Sequence, residues 1–263
     1  MLLASLLLGT PRMRTVLRRS IAPLAFVALL ATPLAAQQPV VKAVGTSDSR
    51  PTVAVLYFDN GALVGHADYA PLSKGMSEMM ITELARNPGI RVVERDRLQH
   101  LLDEQNLSNG DRVDKETAVR LGKLLGAHHM LMGSFVIDMK QNMRLDVRSV
   151  NTETSQIEYV ETVTDKADRM LNLVTTLGAK INEGLKLPQL PTQVPTVSAK
   201  APSGPNQLRA AMFMSRALEQ QDKGNVEGAK TLYRNAIELY PDFGRAKVLL
   251  ASLETGPGAR PTP

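Results

Sequence analysis

Two hydrophobic rhythms separated by a proline-rich stretch limit what this chain folds into. Up to residue 187, short β-branched runs alternate with segments of helical period; from residue 206 on, only the helical period appears. The most structured wording lies at 90–137. Ile90, Val92 and Val93 form a strand-like run, and the charged group Glu94-Arg95-Asp96-Arg97 follows at once. Leu98, Leu101, Leu102 and Gln105 then recur at helical spacing. After the polar turn Ser108-Asn109-Gly110-Asp111, Asp114 stands where a second helix needs an N-cap. Its stripe is Ala118, Leu121, Leu124 and Leu125, and Gly126 sits at the stop. The run 130–137 is apolar throughout, as a strand covered on both faces should be.

The flanking segments complete the pattern. Residues 52–58 read as a buried strand that ends at the turn Asp59-Asn60-Gly61. A helix follows over 72–86, with Leu72, Met76, Met79, Met80 and Leu84 on one side and Asn87-Pro88-Gly89 as its stop. At 143–150 and 156–163, apolar and polar residues alternate around Asn151-Thr152-Glu153-Thr154, which predicts an antiparallel hairpin with one wet face. Met170, Val174, Leu177, Ile181 and Leu185 mark a closing helix. The order βαβααβββα predicts an α/β fold with a mixed sheet flanked by helices.

The wording at 90–137, with Val-Ala-Val-Leu-Tyr-Phe-Asp at 53–59, resembles the curli production assembly/transport (CsgG-like) family over roughly residues 50–185. The resemblance implies the soluble scaffold of an envelope assembly or secretion protein. It also implies a lipidated N-terminal cysteine, yet the chain has no cysteine, so no lipid anchor of that kind is expected. The family's channel adds two spanning hairpins per subunit. Strands of about ten residues each would need some forty residues, and 134–165 has room only for the module's own strands. The hairpin at 143–163 therefore reads as sheet.

The rest of the chain divides by composition. Residues 1–36 carry Arg12, Arg14, Arg18 and Arg19 but no acid, then an apolar run and Ala35-Ala36. This reads as an export signal, with Met1 or Met13 as the start. Without it the formal charge is near +1 instead of +5, because 4 of the 31 basic residues lie there. No basic block remains to favour nucleic acid. Residues 37–50 read as a flexible lead-in, 51–187 as the α/β domain, 188–205 as a Pro-rich linker and 255–263 as a disordered tail.

Within 206–254, Gly224, Ala229, Tyr233, Ala236 and Pro241 fall at the small and aromatic offsets of a tetratricopeptide repeat, predicting a small all-α helical hairpin with a third helix after it. One repeat is too few to stand alone, so it should pack on something else. Its first helix offers Met214, Leu218 and Gln221 as a partner-binding face.

The candidates for chemistry are few. His128 and His129 point to opposite sides of a strand and make a poor metal pair. Asp59 reads as a turn residue and the methionines as core; Glu94 to Arg97 read as helix-end electrostatics, with a subunit contact or an ion-pair network fixing strand to helix as the alternative. No catalytic, cofactor-binding or metal-binding residues are expected, and no cofactor. The expected partners are envelope proteins, a secreted client or further copies of the chain, in the periplasm or at the outer membrane. Two alternatives stand beside this reading: a pore-forming subunit with a short barrel, and a periplasmic enzyme or ligand binder using the strand ends near Asp59 and His128. The export signal predicts cleavage close to Gln37. N-terminal sequencing of periplasmic protein should start there, and an intact 13–36 segment would contradict it.

Overall fold

The computed structural model describes residues 48–107, 113–188 and 206–255, all of which fall in one compact unit. The expected signal, most of the lead-in and linker, the turn at 108–111 and the tail lie outside the described residues.

Strand β1 (Thr52–Val55) is buried at every position and forms the parallel centre of a mixed sheet. It pairs with β3 (Arg91–Val92) on one side and β4 (His129–Ile137) on the other. The short β2 (Asp59–Asn60) continues alongside β4. From β4 the chain turns back antiparallel through β5 (Asn142–Asn151) and β6 (Ile157–Lys166), giving the order β3-β1-β4-β5-β6. The turn into β6 is held by Asn151, whose Oδ1 accepts from the amides of Glu153 and Thr154 at 2.9 and 3.0 Å. This is the expected α/β architecture in the expected order. Helix α1 (His66–Tyr69), together with β2, is a short element the periodicity did not foresee.

Alternation along the strands builds two cores. Ala54, Leu56, Met130 and Met132 pack on α3 (Arg95–Glu104) and α4 (Lys115–Leu125). Val53, Val55, Leu131, Phe135, Met143, Leu145 and Val147 pack on α2 (Leu72–Leu84) and α5 (Met170–Gly184). The hairpin β5–β6 thus spends its apolar face on α5. Helix α4 is bounded as its sequence predicts. Asp114 Oδ1 accepts from the Thr117 amide at 2.7 Å, and Gly126 closes the helix at φ 67°.

The C-terminal helices α6 (Asn206–Asp222), α7 (Val226–Leu239) and α8 (Gly244–Thr255) form the expected helical group. Ala229, Tyr233 and Ala236 are fully buried, and the Tyr233 hydroxyl donates to Gln221 Oε1 at 3.0 Å. The group does not stand apart from the α/β module. Its core is continuous with that of α2 and α5. Helix α6 lies against α2 so closely that a Cβ on Gly75 would come within 1.8 Å of Ser215 Oγ. That approach needs small residues on both helices, and Gly75, Ala210, Ala211 and Ser215 supply them.

Gly75→Val should therefore overpack the α2–α6 contact, at a cost of roughly 1–3 kcal/mol. Thermal unfolding followed by circular dichroism should shift as one transition for the whole unit. Two separated transitions, with only one displaced, would show that the helical group folds independently.

Candidate functional site

Helix α2 is covered on two sides, by the sheet and by α6, and its second side carries Lys74 and Glu78 into the interior. Arg95, the first residue of α3, points at the same place; its side chain is 3% exposed. Its Nη1 donates to both carboxylate oxygens of Asp222 at 2.9 and 3.1 Å, its Nη2 to Asp96 at 2.6 Å, and its Nε lies 3.5 Å from Glu78. Lys74 Nζ reaches Asp222 at 2.6 Å and lies 5.4 Å from the centre of the Tyr57 ring. Arg245 of α8 closes the group by pairing with Glu78. Three cations meet three carboxylates, drawn from α2, α3, α6 and α8.

Burial works against the charged state of Arg95, but Asp222, Tyr57 and Asp96 outweigh it and raise its affinity for the proton. Burial also pushes the Tyr57 hydroxyl well above its ordinary range, against the pull of Arg95. That hydroxyl therefore stays protonated, and donates to Gln99 Oε1 at 2.6 Å.

Tyr57 and Lys74 also line a cleft of about 480 Å³ beyond the C-terminal ends of β1 and β4. Its walls include Asp59, His66, Ser134 and Glu219, over a floor of Leu56, Phe58 and Leu102. Open α/β sheets place ligand sites at such strand ends. Asp59 is not merely a turn residue, since it pairs with Ser134 as part of β2. Asn60 holds the following loop, donating to the His66 carbonyl at 2.7 Å and accepting from the Ala62 amide at 3.0 Å.

The other candidates fall elsewhere. His128 lies at the opposite end of the sheet, where its Nδ1 accepts from the Thr52 amide at 3.1 Å, so Asp59 and His128 share no site. His129 contacts Glu158 at 2.6 Å. Burial raises the Glu158 carboxyl, but contacts from His129, Ser149 and Asn151 outweigh it and hold it below the ordinary range. Among the described residues no group of three His, Asp or Glu side chains could hold a metal ion. Met76, Met79, Met80, Met130 and Met132 are core, as expected.

Two expectations need correcting. Glu94, Asp96 and Arg97 are exposed as helix-end charges should be, but Arg95 is buried at the centre of the ion network. The face expected to take a partner is already covered by this chain. Met214 and Leu218 are fully buried in the shared core, and Gln221 is half-buried against Tyr233. The missed signal was spacing: Arg95, Leu98 and Leu102 form the buried stripe of α3, so a charge on that stripe requires a buried partner.

The fold and this site define a class: a mixed-sheet α/β module with a helical group fastened to it by buried ion pairs. Residues 36–137 match the family model of the curli production assembly/transport component CsgG. The matched segment carries Tyr57, Lys74, Glu78, Arg95 and Asp96, while Asp222 and Arg245 lie outside it. No curated protein matches the sequence. Similar solved structures include the LpoB C-terminal domain from Salmonella enterica, at 15% identity over 44% of this chain and 82% of that one, with TM-score 0.34. Lipoprotein GNA1162 from Neisseria meningitidis is 12% identical over 51% and 98%, with TM-score 0.39. The PelC dodecamer from Paraburkholderia phytofirmans is 14% identical over 52% and 89%, with TM-score 0.34.

Asp222→Asn should leave Lys74 and Arg95 buried with one carboxylate fewer, costing about 3–5 kcal/mol. Asp96, whose side chain is 70% exposed, is the comparison: Asp96→Asn keeps an oxygen for Arg95 Nη2 and loses one solvent-screened ion pair, so it should cost no more than about 1 kcal/mol. Chemical denaturation of both variants checks the pair. Equal effects would mean that burial of the network contributes nothing.

Proposed function

We propose that this chain is an exported envelope component that acts in assembly or transport at the outer membrane through protein–protein contacts, not by catalysis. The observation that carries the reading is the family match over 36–137, which runs from ahead of β1 through the end of β4. The export-signal wording of residues 1–36 supports the compartment. Among the described residues no helix is long and apolar enough to cross a membrane. The helical group, with its tetratricopeptide-type spacing, is read as part of the same rigid body, so partners meet surfaces of the whole unit. Further copies of the chain are among those partners.

A second reading, small-ligand binding, is favoured by one observation, the cleft of about 480 Å³ with convergent polar groups at the strand ends.

Photo-crosslinking in the living cell separates the two. A crosslinker is placed at Val160, 65% exposed on β6, or at Leu63, 71% exposed beyond β2. Defined adducts with an envelope protein, or with a second copy, are expected at one of these positions. Absence of any protein adduct, together with a thermal shift by a metabolite that Ser134→Trp abolishes, would replace the assembly reading with ligand binding.

A further inference from the structure

The stretch of α6 from Leu208 to Arg216 turns an outer side away from both the ion network and the strand-end cleft, whose wall α6 joins further along, at Glu219. While Ala211, Met214 and Leu218 are buried against the rest of the unit, the next positions around the helix turn outward. Leu208, Met212 and Phe213 form a half-buried apolar stripe. Across from them stands Tyr69 of α1, and the two helices enclose an open groove of about 390 Å³. Arg209 and Arg216 flank the stripe. Both are exposed, and neither guanidinium has a hydrogen bond or ion pair with another described residue.

We infer that this groove docks an acidic amphipathic segment of a partner protein, with apolar side chains seated on the stripe and carboxylates on Arg209 and Arg216. The inference rests on the reading of the chain as a protein-contact scaffold and names the chemistry of one partner surface. Aromatic residues, Met and Arg are the types enriched where protein surfaces meet, and a methionine floor adapts to irregular side chains. Arginine presents a planar fork that takes a carboxylate through two hydrogen bonds. The two arginines are seven residues apart, two helical turns or about 10 Å. Carboxylates two turns apart on one face of a helix have the same spacing, which same-face positions on a strand, about 7 or about 13 Å apart, do not match. Asp68 lies in the groove wall. The concave shape disfavours the flat surface of a membrane, and a segment that places its carboxylates on the arginines can set a polar donor on Asp68.

Random dodecapeptides displayed on phage are selected on the purified chain, and the leading sequence is titrated by fluorescence anisotropy. The expected sequences carry paired Asp or Glu at the matching spacing, with Leu, Phe or Met between them. Arg209→Glu with Arg216→Glu should weaken the leading peptide at least about tenfold without moving the melting temperature, because both side chains are exposed. Binding should also weaken as salt rises. Selected sequences without acidic pairs, or a titration unchanged by the double substitution, would overturn the inference. So would co-sedimentation with anionic phospholipid vesicles that the same substitutions abolish, which would assign the groove to lipid. A failed selection alongside recovered crosslinked partners counts against the groove alone; acidic peptides selected without any crosslinked partner count against the assembly reading.

Discussion

The rest of the structure depends on α2 being buried from both sides. A helix between a sheet and a second helix layer must satisfy two neighbours at once, and this one does so with two kinds of side chain. Toward the sheet it presents Leu72, Met76, Met80 and Leu84; toward α6 it presents Gly75, Lys74 and Glu78. Removing Lys74, Glu78 and Arg95 from water is unfavourable, and their mutual attraction roughly offsets that cost only when every charge finds its partner. The network therefore contributes less to net stability than to register. A helical group shifted along α2 would separate Asp222 from Arg95, or Arg245 from Glu78, and strand a charge in the interior. The close approach of Gly75 and Ser215 sets the distance, and the ion pairs set the position.

The α/β module was legible because its signals are local. Periodicity located the strands and the helices between them, Asp114 and Gly126 marked both ends of α4, and the order βαβααβββα allowed one layered arrangement. The positions of Ala229, Tyr233 and Ala236 between helices were also readable from spacing. The docking of the helical group was not. Its partners are 127 to 167 residues apart in the chain, and no local pattern pairs Asp222 with Arg95. Arg95 was the one clue, a charge on the apolar stripe of α3. Read as part of a four-residue charged phrase, it looked like helix-end electrostatics; read by its own helical phase, it demands a buried counter-ion. The same long-range packing explains Met214 and Leu218. An amphipathic stripe says that a helix has something to cover, not whether the cover is a partner or the same chain.

Burying that stripe moves the surfaces open to partners elsewhere. One is the outer side of α6, described above. Another is the side of β5 and β6 turned away from α5, where Arg144 is exposed and Asp146 and Arg148 are half-buried. Val160, opposite Arg148, stands exposed on that side.

The free edge of β6 would be the obvious place for a second chain to add a strand, and the sequence blunts it. The Thr162 amide donates to Glu161 Oε1 at 3.1 Å and the Lys166 amide to Asp165 Oδ1 at 2.8 Å, so each donor is held by the carboxylate of the residue before it. Charged side chains on an edge oppose strand pairing, and here they also occupy two of the strand's amides. Lys180, Tyr159 and the Thr162 amide all bond to the Glu161 carboxylate and hold it below its ordinary range. A depressed carboxylate keeps its contacts above its unfolded pKa and loses them as pH falls through the folded one, so at neutral pH the Glu161 cap is in place. A chain approaching this edge then meets side chains rather than a bare backbone ladder. That suits recognition by charge and shape on α6 better than strand addition at β6.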